Sequence, residues 1–313
     1  MTTAALALPG LARGAPVATE RIVGRAFATT WSITAPAGAG LERLRPAIET
    51  LLAGIDRQMS PWRADSEITA VNRGPAGVHE VSAATATVCR AALRIAEASG
   101  GLFDPSVGPL VSRWGFGPIS GDATGNWRDL RVAASGVIKA RETSTMDLCG
   151  IAKGWALDQM AQVVMDAGAA DALLDLGGEM RGIGEHPSGR PWRVAVEDPR
   201  APGGAVAALA LSDLSVATSG LAWQSFDAGD RTYGHIVDPR SGRPASGALR
   251  SVSVLHDHAF EADAWATALF AAGSEAGPAL ARRQDLSALF LIERGARLVH
   301  ETTGAADAVL VLP

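Results

Sequence analysis

Asp263 and Thr267 stand four residues apart in Glu261-Ala262-Asp263-Ala264-Trp265-Ala266-Thr267-Ala268. On a helix that spacing puts both on one face. A carboxylate beside a hydroxyl is a pair of hard oxygen donors, suited to Mg2+ and poor for zinc. The same pair also suits a plain helix, with Thr267 bonding back to a carbonyl. A second segment, Asp147-Leu148-Cys149-Gly150-Ile151-Ala152-Lys153-Gly154-Trp155, joins a strand end to a helix start. A helix start offers amides and a positive dipole end to an anion, and Lys153 adds a point charge. The ordinary alternative is a junction capped by Asp147. The third segment is His235-Ile236-Val237-Asp238-Pro239-Arg240-Ser241-Gly242. Strand alternation puts His235 and Val237 on one face, and Asp-Pro-x-x-Gly makes a turn. A histidine titrating near neutrality could serve as a general base, or be a hydrogen-bonded structural residue. The fourth, Gly100-Gly101-Leu102-Phe103-Asp104-Pro105, runs on to Trp114-Gly115-Phe116-Gly117. Its glycines admit a ligand to the backbone and its aromatics offer stacking surfaces, or it is a helix C-cap with core aromatics.

These segments need elements to hold them. Apolar residues recur at helical spacing through Leu41–Met59. Ser82 caps a second helix with Val88, Ala91, Ala92 and Ile95 on its face. A third helix follows Gly150 and ends at Gly168. A fourth spans about 260–272, and a fifth about 276–283. Strands are expected at 26–34, 172–176, 193–197, 234–238, 251–256, 288–292 and 308–312. The irregular order favours α+β over a doubly wound parallel sheet. The Pro/Gly-rich stretches at 115–125 and 199–204 read as loops within one domain.

Composition excludes several classes. The chain has 313 residues, is 47% hydrophobic and 19% charged, and so can bury a sizeable core. Its net charge is −5, and no basic run exceeds a pair, so no nucleic-acid surface is expected. No apolar stretch is long enough for a transmembrane segment. Two cysteines, Cys89 and Cys149, exclude a disulfide-dense scaffold. No dinucleotide, P-loop or nucleophile-elbow motif occurs. His256-Asp257-His258 reads as a polar strand end, because no third ligand stands nearby. Lysine is confined to Lys139 and Lys153, and tyrosine to Tyr233. Coding bias explains the scarcity, while Lys153 and Tyr233 fall at or beside the candidate segments.

All four segments, in their order along the chain, resemble the ApbE family of FAD:protein FMN transferases. Further matching pieces are Met59-Ser60-Pro61-Trp62-Arg63, Asp175-Leu176-Gly177-Gly178-Glu179 and Val216-Ala217-Thr218-Ser219-Gly220. The resemblance covers about residues 21–300. It implies an α+β, T-fold-like architecture, a mostly antiparallel sheet with flanking helices. It also implies Mg2+, with FAD as co-substrate. FMN would pass from FAD to a threonine hydroxyl of an acceptor protein, releasing AMP. By the family pattern, Asp263, Thr267 and the backbone oxygens of Ala152 and Ala266 hold the metal. FAD lies against Phe27, Trp62, Leu102, Phe103, Asp104, Cys149, Lys153, Trp155 and Val237. His235 resembles the family histidine that takes the acceptor's proton.

Three departures keep alternatives open. Phe27-Ala28-Thr29 stands where the family usually carries Met-Gly-Thr. Cys149 replaces glycine or serine, and Trp62 a tyrosine. Trp62 motivates a second reading, an FAD pyrophosphatase giving FMN and AMP. Phe27 and Cys149 motivate a third, a non-catalytic flavin-binding protein. The apolar run at 4–12 resembles the end of an export signal without its basic start. Residues 1–20 are therefore set outside the fold, as a leader remnant or a disordered tail. The expected location is the periplasm, with the cytoplasm as the alternative.

Overall fold

A computed structural model describes residues 17–312, apart from 123, 124, 135, 202, 222–224, 229 and 230, and apart from the side chains of 225–228, 231 and 232. The apolar run at 4–12 lies outside the described residues.

Eight strands form one sheet, ordered Thr19–Ala26, Thr29–Pro36, Ala172–Leu176, Glu179–Ile183, Leu214–Gly220, Leu249–His256, Ser287–Arg294 and Arg297–Thr303. Every neighbouring pair is antiparallel. Strand alternation sends successive side chains to opposite faces. Ala217, Val252, Val254, Phe290 and Ile292 join the larger apolar cluster, which the helices share. Val216, Leu255, Leu289 and Leu291 join a smaller cluster on the other face. That face is covered by a three-stranded sheet of Trp192–Glu197, Ala205–Leu211 and Leu310–Val311. The sheet is thus the middle of three layers.

The helices are α1 (Arg45–Met59), α2 (Glu67–Arg73), α3 (Ala83–Ala98), α4 (Gly108–Arg113), α5 (Ala152–Asp166) and α6 (Ala259–Arg283), with a short α7 (Ala306–Val309). α1 buries Ile48, Leu52, Ile55 and Met59, as its periodicity requires. Ser82 caps α3 by accepting from Thr85 N–H, as the sequence suggests. The fourth and fifth expected helices both occur within Ala259–Arg283, parted at Gly273, whose φ of 84° and ψ of −176° are not helical; the whole span is called α6.

Other expectations need correction. The stretch 26–34 is not one strand: the chain turns at Phe27-Ala28. The first strand begins at Thr19, inside the segment set aside as a tail, and Glu20 accepts from the amides of Gly38 and Leu41. Asp238 ends a two-residue strand, and Arg231–Gly234 is a separate one, so His235 lies between strands rather than on one. The stretch 308–312 combines the end of α7 with a two-residue strand. The strands Gly77–Glu80, Leu130–Ala133 and Gly136–Lys139 form a small sheet that the sequence did not announce.

Register gathers the functional segments. Ala26 pairs with Thr29, Trp31 with Leu176, Leu176 with Glu179, and Gly220 with Ser251. The turn at Phe27-Ala28, the turn at Gly177-Gly178 and the excursion from Gly220 to Leu249 therefore leave the same end of the sheet.

Candidate functional site

α5 begins with a deficit. Its N-cap is Ile151, which offers no side-chain acceptor to the first amides. Asp263, from α6, supplies one: its carboxylate accepts from Gly154 N–H at 3.0 Å. The approach is close because residue 154 is glycine. A Cβ there would sit 2.3 Å from the Ala259 carbonyl oxygen. Asp147 does not cap α5 as one reading expected; it accepts from Cys149 N–H at 2.9 Å. The amides of Ile151 and Ala152 both bond to the Leu148 carbonyl. The junction is a tight turn rather than an open cradle of amides, so its attraction for an anion rests chiefly on Lys153.

Lys153 Nζ lies 2.5 Å from Glu179 Oε1, at the start of the strand beside it. Glu179 is only 4% exposed, and its Oε2 is buried with no hydrogen-bond partner among the described residues. The Lys153 ammonium thus pairs with one carboxylate, Glu179, and feels the charge of a second, Asp263. Burial pushes Asp263 up, and the Glu179 charge pushes it further, against Lys153 and the Gly154 amide, to about 7. Burial pulls Lys153 down, but Glu179 and Asp263 outweigh it and hold the ammonium above its ordinary value.

Thr267 lies one turn beyond Asp263, with Ala266 between them on α6. Thr50 and Thr87 bond back to helix carbonyls, whereas the Thr267 hydroxyl has no such bond among the described residues. A Cβ on Gly150 would lie 3.2 Å from Thr267 Oγ1 and equally close to Phe103. Gly150 therefore keeps open the space between α5's start, Thr267 and Phe103. Ala152 opens α5 itself. Among the described residues no cluster of three or more His, Cys, Asp and Glu could hold a metal. The donors here are instead a buried carboxylate and a hydroxyl with no hydrogen bond among the described residues. That set fits a hard divalent cation.

The 102–106 segment is tied to the same place. Asp104 accepts from Ser106 N–H and from its hydroxyl, and Asp147 N–H donates to the Pro105 carbonyl at 2.6 Å. Burial pushes Asp104 up, and the Ser106 bonds oppose it. Phe103 is buried in the large core, and Leu102 packs at its edge. Beyond α4, Trp114 stacks on Tyr233 at 5.6 Å and donates to the Gly242 carbonyl, while Phe116 meets His235 edge-on at 6.4 Å. The third and fourth segments therefore interlock. His235 is half-buried there, and Val237 is buried.

The remaining expected residues are less gathered. Phe27 caps the hairpin tip and packs at the core edge. Trp155 turns toward Phe260, with ring centroids 6.1 Å apart. It also lines a groove with Thr50, Gly54 and Gln58 of α1. Cys149 is exposed and free, and the buried Cys89 is also free, so the two do not pair. Trp62 is 66% exposed after α1, where Arg63 pairs with Asp56 and Asp65. Glu179 was legible only as part of a motif. Its place after the Gly177-Gly178 turn was the available signal.

The ApbE family model matches residues 27–290. The FAD:protein FMN transferase of Vibrio cholerae is 32% identical over 296 residues, covering 89% of each chain. That of Escherichia coli K12 is 29% identical, covering 87% of this chain and 84% of its own. The solved flavin transferase ApbE from Vibrio cholerae superposes with a TM-score of 0.84 at 29% identity, covering 94% of this chain and all of that one (100%). The apo flavinyl transferase ApbE of Pseudomonas stutzeri gives 0.83 at 29% identity, covering 93% and 96%. With most of its length matched, and with the fold of those enzymes, the chain belongs to the ApbE family.

Proposed function

We propose that this protein transfers FMN from FAD to a threonine hydroxyl of an acceptor protein, with AMP as the leaving group. The relatives' shared activity supports the class of reaction. The observation that carries the reading here is half-buried Lys153 paired with buried Glu179 beside buried Asp263, with the Thr267 hydroxyl one turn away. Asp263, Thr267 and the carbonyls of Ala152 and Ala266 are the groups that would hold Mg2+. Bound there, the ion would neutralise charge on the diphosphate.

The chain's own residues do the rest. Lys153 presents a positive charge to the diphosphate, in a setting where burial strengthens it. His235 accepts the proton of the incoming threonine, which is a weak nucleophile until its proton has a base to go to. The new bond joins the threonine oxygen to the FMN phosphorus. The bond that breaks is the diphosphate bridge, and the electron pair leaves with AMP. Phe27, Trp62, Trp155 and Val237 are apolar surfaces for the rings of FAD, with Leu102, Phe103, Asp104 and Cys149 beside them. The acceptor reaches the site from outside the cytoplasmic membrane, in keeping with the apolar run at 4–12.

The test is incubation with FAD, Mg2+ and a candidate acceptor. Covalent flavin fluorescence on the acceptor band, with AMP released in equal amount, is the expected result. AMP without labelled acceptor would turn the reading to a pyrophosphatase, and neither product would leave a flavin binder.

A further inference from the structure

The helix that needs a cap from α6 also gives one. α6 starts at Ala259 after His258, which makes no side-chain cap. Asp158, on α5, accepts from Ala259 N–H at 2.9 Å with one carboxylate oxygen and from Phe260 N–H at 3.1 Å with the other. Asp263 does the reverse for Gly154. Two antiparallel helix starts are thus capped by each other's carboxylates, and both bonds satisfy donors that burial would otherwise orphan.

Arg181 completes a second knot. Its guanidinium lies 3.5 Å from Asp158 and donates to Ser215 Oγ and to the Asp257 carbonyl, just before α6. Lys153, Glu179 and Asp263 come from α5, the strand Glu179–Ile183 and α6. Asp158, Arg181 and Ala259 come from the same three elements. Each lies about 6–8 Å further along, by the rise of helix and strand. Glu179 and Arg181 share a strand face, and Gly154 and Asp158 share a helix face. The second knot therefore fixes the sliding and rotation of all three elements that carry the first.

We propose that Asp158 is a positioning residue: its bidentate cap on α6 and its pair with Arg181 hold Asp263 against Gly154, beside the Lys153–Glu179 pair. The inference rests on reading Asp263 as a site residue, and its test has an arm independent of activity. In the full chain, Asp158→Ala is compared with Asp158→Asn, which keeps one acceptor oxygen and loses the charge facing Arg181. Ser82→Ala removes the cap of α3 instead, as a control for general loss of stability.

Amide hydrogen exchange is followed at Gly154, and Mg2+ affinity by calorimetry. In Asp158→Ala, Gly154 exchange should speed at least tenfold and Mg2+ affinity should fall at least tenfold. Asp158→Asn should lie between it and the parent. Ser82→Ala should lower the melting temperature and leave both readings alone. Parent-like exchange at Gly154 in folded Asp158→Ala overturns the proposal, as does an equal loss in Ser82→Ala. If Asp158→Ala does not fold, the Asp158→Asn comparison decides by the same criteria. A parent protein that binds no Mg2+ sinks the metal reading, and the exchange arm then decides the clasp alone.

Discussion

At the scale of single residues, chemistry and strain stand side by side. Asp263→Ala removes the one carboxylate among the proposed metal donors and should lower transfer at least about 100-fold, since each 1.4 kcal/mol is tenfold. Initial rates of acceptor labelling at saturating FAD would check this, and an unchanged rate would remove Asp263 from the site. Its titration gives a second outcome. The folded value of about 7 lies above the ordinary 3.8. Stability from this group is therefore full below about pH 4 and is lost as pH rises through about 7. In metal-free protein, Asp263→Asn should raise the melting temperature at pH 8 and change it little at pH 4. Ala28 carries strain of another kind. Phe27 and Ala28 form a two-residue turn with φ of 52° and 59°, a conformation that suits glycine. Ala28→Gly should stabilise the protein by up to about 1 kcal/mol, measured by urea unfolding. The family's usual Met-Gly-Thr at this place had marked the residue. The turn itself was hidden, because neither Phe27 nor Ala28 is a turn-forming type.

At the scale of elements, periodicity was the readable signal. α1, α3 and α5 each carry an apolar face strong enough to be seen in the sequence. The expected division into helices at about 260–272 and 276–283 matches the non-helical Gly273 within α6. Cross-element ties were not legible, because nothing local specifies them. Asp158 and Asp263 look like ordinary helical carboxylates until the two helices meet. Lys139 makes the same point. It fell in no motif, yet it is fully buried and donates to the carbonyls of Val71, Asn72 and Gly74 at 2.8–3.2 Å. Those are the last carbonyls of α2, and a buried ammonium satisfies them together. Burial pulls its value down from the ordinary lysine range. Asn72 adds a two-way tie to the Met146 backbone, which leads into Asp147 and the α5 junction. Lys139→Met keeps the volume and takes the donor from these carbonyls, of which Val71's still accepts from Gly74 N–H, so it should cost at least about 2 kcal/mol in a urea melt. A loss below about 0.5 kcal/mol would mean that water replaces the ammonium.

At the scale of the whole molecule, the sheet separates two jobs. Its helical face carries α5 and α6, and with them the proposed chemistry. Its other face carries the smaller core of Trp192, Val194, Val196, Leu209 and Leu211 against Val216, Leu289 and Leu291. Trp192 anchors that layer: it is nearly fully buried and its indole donates to the Ile183 carbonyl at 3.0 Å. The sequence showed the alternation of 193–197, but not what its inward side chains would meet. Layer partners are set by long-range pairing, which one chain's pattern does not encode. Because the sheet lies between the two cores, damage to one should reach the other weakly. Trp192→Ala leaves a large cavity and should cost about 3–5 kcal/mol. In the fraction that stays folded, FAD affinity should hold within about threefold, under 1 kcal/mol. Urea unfolding and fluorescence titration with FAD would read the two quantities from one preparation. A loss of affinity that tracks the loss of stability would show that the small sheet shapes the site, and the division of labour between the faces would fall.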